Sequence, residues 1–158
     1  CFISGTSGVG KTHVARSVAE KMGGRFFLVD FRNADYDEAK NRLDVLLSRL
    51  GGLQAHTILL EDLNCFDDPQ VGILLAQVFE ALSRRDIAVV ITCYNSPAPR
   101  ALVNMGLALG CTRVCGYFSP EEVKCLVSLH GGDPEAWGHF AYVTGAFGHP
   151  QLVHAFVA

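Results

Sequence analysis

Three observations in the sequence predict an α/β domain with a five-stranded parallel sheet in a three-layer α/β/α arrangement. Short β-type runs alternate with longer segments of helical period, and four of the five runs are continuously apolar, as strands covered on both faces are. The strand pattern then stops near residue 117 and only helical segments follow, which divides the chain into a core over 1–117 and a helical part over 118–158.

The first run, Cys1-Phe2-Ile3-Ser4, reads as the end of a strand. A helix over 11–22 comes next, with Val14, Val18 and Met22 as its expected buried stripe and Gly23-Gly24 closing it. The second strand is 25–30. The helix over 37–50 carries Leu43, Leu46, Leu47 and Leu50, and Gly51-Gly52 ends it. The third strand, 56–61, leads through a loop to a helix over 71–85 with Ile73, Leu74, Val78 and Leu82. The fourth strand is 87–92, and the fifth, 112–116, is less apolar.

In the tail, Ser119-Pro120-Glu121-Glu122 is a helix start: the serine caps, proline takes the first helical position, and Glu122 is placed for a capping box. Gly131-Gly132-Asp133-Pro134 links two helices. Trp137, Phe140 and Val143 recur at helical spacing and are expected in the core. Residues 151–158 form an apolar helical pattern without a stop signal, and residue 1 is not Met, so the sequence reads as a piece of a longer protein.

Composition narrows the function. The 158 residues carry 13 Lys and Arg against 16 Asp and Glu, a formal charge of −3, with no basic run, so an electrostatic grip on nucleic acid or an anionic membrane is not indicated. Every apolar run falls short of the ~20 residues that span a bilayer, and the expectation is a cytoplasmic protein with no membrane partner. The six cysteines, Cys1, Cys65, Cys93, Cys111, Cys115 and Cys125, sit partly in apolar runs and are expected as reduced, buried thiols. Cys111 and Cys115 have no second pair at ligand spacing for zinc.

The strongest signal is Gly5-Thr6-Ser7-Gly8-Val9-Gly10-Lys11-Thr12, which satisfies G-x-x-x-x-G-K-[ST] between a strand and a helix. Glycines let the backbone wrap phosphates with inward N–H groups, and Lys11 adds a point charge near the β and γ phosphates. The Thr12 hydroxyl suits a Mg²⁺ ligand at a helix amino end that already favours anions, and His13 follows on the first turn, its backbone within reach of phosphate. ATP or ADP with Mg²⁺ is the expected ligand.

The third strand ends in two acids, Glu61-Asp62, a pattern in which one carboxylate holds the Mg²⁺ shell and its neighbour polarises the attacking water. By position along the strand Glu61 takes the metal role and Asp62 the water-activating one, with both acids counted as candidate ligands beside Thr12. An Asp-first order is the usual one, and the exchange shortens the base by one methylene, so slow hydrolysis is expected. No Asn-Lys-x-Asp guanine reader follows a later strand.

These residues together resemble the STAND group of signal-transduction ATPases, which includes the NB-ARC and NACHT domains and is related to AAA+ proteins. The resemblance rests on the phosphate loop, on Glu61-Asp62, on Val89-Val90-Ile91-Thr92 running into Cys93-Tyr94-Asn95, on Phe118-Ser119-Pro120-Glu121-Glu122-Val123, and on Gly148-His149-Pro150, which looks like the group's G-x-P element. It implies an ASCE-type P-loop NTPase sheet, with the strand after Glu61-Asp62 inserted between that strand and the phosphate-loop strand, and then the start of a helical lid. It also implies that Pro150 lies against the nucleotide base, although a plain helix start explains the same tripeptide equally well. Many relatives place an arginine just after the fourth strand. This chain has Tyr94 and Asn95 there, and Asn95 then resembles the polar AAA+ sensor that positions the attacking water, with an ordinary turn before Ser96-Pro97 as the alternative.

The resemblance implies an ATP-hydrolysing switch with nucleotide-controlled self-association, answering to a protein trigger or effector that the sequence does not identify. Two alternatives stand beside it: an AAA+-type motor or loader that remodels protein or nucleic acid, and a scaffold that holds nucleotide without hydrolysing it.

Overall fold

A computed structural model describes residues 1–23, 25–66 and 68–158. The second glycine of the predicted Gly23-Gly24 helix end lies outside the described residues. Five strands, β1 (Phe2–Ser4), β2 (Phe26–Asp30), β3 (Thr57–Glu61), β4 (Ala88–Cys93) and β5 (Thr112–Val114), form one sheet in the order β2-β3-β4-β1-β5, every pairing parallel. β4 follows β3 in sequence and lies between β3 and β1, as the resemblance implies. Two compact units emerge: residues 1–5 with 11–114, and residues 6–10 with 115–158.

In the first unit, helices α1 (Lys11–Lys21), α2 (Tyr36–Arg49), α3 (Pro69–Ser83) and α4 (Pro99–Asn104) accompany the sheet. β3 is buried along its whole length, and its side chains alternate between the two faces. Ile58 and Leu60 join Leu43, Leu46, Val71, Leu75 and Ile91 in the core shared with α2 and α3. Thr57, Leu59 and Glu61 therefore belong to the opposite face, where α1 packs on β3 and β4. That alternation is what brings an acid at the end of β3 beside the start of α1.

The buried stripe of α1 differs from the expected one. Lys11, Ala15 and Ala19 face inward, while Val14 and Met22 are exposed. Two alanines four residues apart let the helix axis approach the sheet more closely than valines would, so small size rather than hydrophobicity selects the packed face. In α3 the inward set is Val71, Leu75, Val78 and Leu82, leaving Ile73 outside.

The second unit contains α5 (Pro120–Leu129), α6 (Pro134–Thr144) and α7 (Pro150–Val157) around Val123, Val127, Ala141 and Val153. Ser119 and Glu122 form the predicted capping box, each accepting from the other's backbone N–H, and Asp133 caps α6. Trp137 and Phe140, expected in the core, are each 53% exposed, and Val143 is exposed as well. α6 turns Gly138 and Ala141 inward instead. A Cβ on Gly138 would overlap the Lys124 stem, and one on Gly145 would overlap Val153, so these helices meet through positions where only glycine fits and the bulky face is turned out.

The cysteines also depart from the expectation. Cys93 is buried, whereas Cys1 and Cys125 are exposed. Burial pushes the Cys93 thiol up to about 11, with Lys11 pulling it down and Asp62 adding to the rise. The thiolate is the reactive form. At pH 8 Cys93 is expected to resist iodoacetamide after Cys1 and Cys125 have reacted, a ranking that mass spectrometry of the folded protein checks. No helix among the described residues is long and apolar enough to cross a membrane.

Candidate functional site

The site grows from the carboxyl ends of β1, β3 and β4. β1 ends at Ser4, and the loop that follows uses backbone conformations open to glycine, with φ of 78° at Gly8 and 87° at Gly10. Gly5 donates its N–H to the Tyr94 carbonyl just beyond β4 (3.1 Å), which fixes where the loop leaves the sheet. The loop closes at the first turn of α1, where the buried Lys11 donates from Nζ to the Gly5 carbonyl (2.8 Å). The ammonium is thus tied back to the residue that follows β1. Thr6, Ser7 and Gly10 are exposed, Val9 is buried and His13 is exposed on the outer side of α1.

Thr12 Oγ1 donates to Glu61 Oε1 at 2.6 Å. Glu61 is only 4% exposed; its second oxygen, Oε2, accepts no hydrogen bond, and the Arg16 guanidinium lies 3.6 Å from it. A buried carboxylate oxygen without a donor is costly unless another positive group serves it. One hydroxyl and one carboxylate, with water and phosphate completing the shell, is the donor set Mg²⁺ prefers, and the residues fit that ion. Among the described residues no group of three or more His, Cys, Asp and Glu gathers elsewhere to hold a metal.

Asp62 follows with φ 58°, a left-handed conformation that aspartate tolerates better than most residues. Its N–H donates to Thr92 Oγ1 (2.9 Å), and Leu63 N–H donates to the Thr92 carbonyl (2.9 Å). Leu63 is fully buried and anchors the turn, while Asp62 itself stays half-buried. The turn therefore separates the two neighbouring acids: Glu61 is committed to Thr12, and Asp62 is held apart from it with a different exposure.

Asn95 is exposed in the bend after β4 and lines a cavity of about 450 Å³ together with Asn64, Tyr94 and Ser96. Asn64 and Arg16 belong to no motif in the sequence, and Thr92 enters there only as the end of a strand run. Each had a signal available: Asn64 follows Asp62 by two, Thr92 closes an apolar strand with a hydroxyl, and Arg16 is one helical turn after Thr12. Asp30, opposite Glu61 in the β2–β3 register, is paired with Arg32, whose hydrogen bonds hold its carboxyl below the usual range. That pair orders the β2 exit, and Arg42 donates to the Asp30 carbonyl from α2.

In the second unit, Pro150 is buried at the first position of α7 and His149 occupies the N-cap without a side-chain cap bond. His149 Nε2 lies 3.0 Å from the Ser7 carbonyl, and its ring meets Tyr117 edge to face at 5.0 Å. A Cβ on Gly8 would come within 2.6 Å of His149 Cε1 and 2.5 Å of Gln151 Oε1. The loop glycine is thus favoured first by its φ, and a Cβ there would also displace the ends of these two side chains.

Residues 1–105 match the family described as "ATPase family associated with various cellular activities (AAA)". The chain belongs to the AAA ATPase family. No curated protein matches it in sequence. Solved AAA-type structures share the fold. RuvB of Thermotoga maritima superposes with a TM-score of 0.68 at 15% identity, over 99% of this chain and 52% of that one. The replication initiator DnaA, bound to AMPPCP and single-stranded DNA, gives 0.64 at 14% identity, over 99% and 53%. The chain thus spans about half the length of these structures. For this AAA domain, the phosphate loop, the Thr12–Glu61 pair and the five-stranded order agree with a P-loop ATPase core.

Proposed function

We propose that this AAA domain binds ATP with Mg²⁺, hydrolyses it slowly, and acts as a nucleotide-controlled switch of the STAND type. The observation that carries the switch reading is the contact of His149, in Gly148-His149-Pro150, with the Ser7 carbonyl of the phosphate loop. An element touching the loop that wraps the phosphates has a direct means of responding to what the loop holds.

In this reading the backbone N–H groups of residues 6–10 and Lys11 bind the phosphates, and Pro150 lies against the base. Thr12 and Glu61 hold the ion, which when bound neutralises charge on the β and γ phosphates. Asp62 accepts the proton of the attacking water as its oxygen bonds to the γ phosphorus. The bond to the β–γ bridging oxygen breaks, and ADP leaves with that electron pair. Asn95 is assigned to hold the water.

A second reading, a motor acting on nucleic acid, is favoured by the fold likeness to DnaA and RuvB. One experiment separates the two. Sedimentation velocity of the protein with ADP and with a non-hydrolysable ATP analogue is expected to show a larger species with the analogue alone, with ATPase unaffected by single- or double-stranded DNA. A size independent of nucleotide, or stimulation of turnover by DNA, overturns the switch reading.

A further inference from the structure

We propose that Asn64 is the positioning residue for Asp62, clamping the turn after β3 to the end of β4 and, through it, to the start of the phosphate loop. The proposal rests on the reading that Asp62 activates the water.

The carboxamide of Asn64 works in both directions. Nδ2 donates to the Asp62 carbonyl (3.0 Å), and Oδ1 accepts from the Tyr94 N–H (2.6 Å). Tyr94 in turn accepts from Gly5 N–H at 3.1 Å, so the side chain joins the turn after β3 to the end of β4, and a backbone bond carries the link on to Gly5. A left-handed aspartate is held against an intrinsic backbone cost, and Thr92 alone grips only the N–H side of the residue. Asn64 supplies the grip on the carbonyl side. With both peptide groups of Asp62 fixed, its side chain leaves the backbone in a set direction, which proton transfer from a positioned water requires.

The side-chain chemistry is specific. An amide of this length donates and accepts at once, an ionised aspartate only accepts, and alanine does neither. Asn64 is exposed, so the groups it leaves behind can be hydrated and the fold tolerates its loss.

The test compares Asn64→Ala, Asn64→Asp and Asp62→Asn in the same protein, reading steady-state ATPase, Mg·ATP binding, and hydrogen exchange at the Tyr94 amide. Asn64→Ala is expected to lower kcat about tenfold with KM within about twofold, the signature of an interaction that matters only in the transition state. The Tyr94 amide is expected to lose protection in Asn64→Ala and to keep it in Asn64→Asp, which retains an acceptor but loses the donor to Asp62 and so also loses kcat. If Asp62→Asn is inactive while Asn64→Ala turns over like the parent, the positioning role is overturned and the base assignment stands. If Asp62→Asn remains active, the base assignment itself fails and takes the proposal with it. Equal losses in KM and kcat, or unchanged Tyr94 exchange in Asn64→Ala, also overturn it. Should the alanine variant not fold, Asn64→Asp alone decides between a kcat loss and none.

Discussion

Asp62→Asn is expected to lower ATP turnover by about 10²–10⁴-fold, the usual contribution of a positioned general base, while Mg·ATP still binds within a few-fold of the parent. The substitution suits the question because it changes little else. Asparagine is as tolerant of φ 58° as aspartate, and the two backbone bonds at this residue, to Thr92 and from Asn64, do not involve the carboxylate. Asp62→Ala would mix loss of the base with backbone strain. Glu61, by contrast, carries the hydrogen bond from Thr12 and faces Arg16, so Glu61→Gln would alter the proposed ion site. Single-turnover measurement with radiolabelled ATP, beside equilibrium binding of a fluorescent analogue, reads the two effects separately. Parent-level turnover in Asp62→Asn would move the base elsewhere, with Glu61, the other carboxylate at the end of β3, the next group to replace.

Gly148→Ala is expected to destabilise the helical unit by about 3 kcal/mol, which for a chain of this size lowers Tm by roughly 6–12 °C. Two independent reasons add. Gly148 has φ 90°, a conformation alanine resists, and its Cβ would be driven into the Phe118 carbonyl, a backbone atom that cannot step aside. The same glycine accepts from Phe118 N–H (2.8 Å) and donates to the Tyr142 carbonyl (3.2 Å), so it cannot relax without breaking both bonds. Ala146 and Phe147 before it are also left-handed, at φ 50° and 58°, so the approach to His149 is already the most strained stretch of this unit. Gly72→Ala is the control. It lies inside α3 with open space where the Cβ would go, and the same chemical change there is expected to stabilise by about 0.5–1 kcal/mol. Thermal unfolding followed by circular dichroism checks both signs, and an unchanged Tm in Gly148→Ala would show that the α6–α7 turn adopts another conformation in solution.

The contrast between these glycines shows where local sequence stops being informative. Helical period placed Trp137, Phe140 and Val143 correctly on one face of α6, yet that face is the exposed one. Period fixes which residues share a side; which side packs depends on how near the neighbouring helix comes, and Gly138 with Ala141 permits an approach that the bulky face does not. The same reason moved the buried stripe of α1 from Val14 to Ala15.

The sequence by itself determined the parallel α/β sheet, the strand boundaries to within a residue or two, the capping box at Ser119 and the loop that ends at Lys11 and Thr12. Each of these is written in a contiguous run, where hydrophobic order, a glycine or a capping residue acts on its immediate neighbours. Only the tertiary structure decided that Glu61 pairs with Thr12, that Asn64 joins the turn after β3 to Tyr94, and that His149 reaches Ser7. These pairings span 49, 30 and 142 residues of chain, and they follow from side-chain alternation on β3, the insertion of β4 beside it, and the angle at which α7 begins. None of those three is encoded at the residues that end up touching.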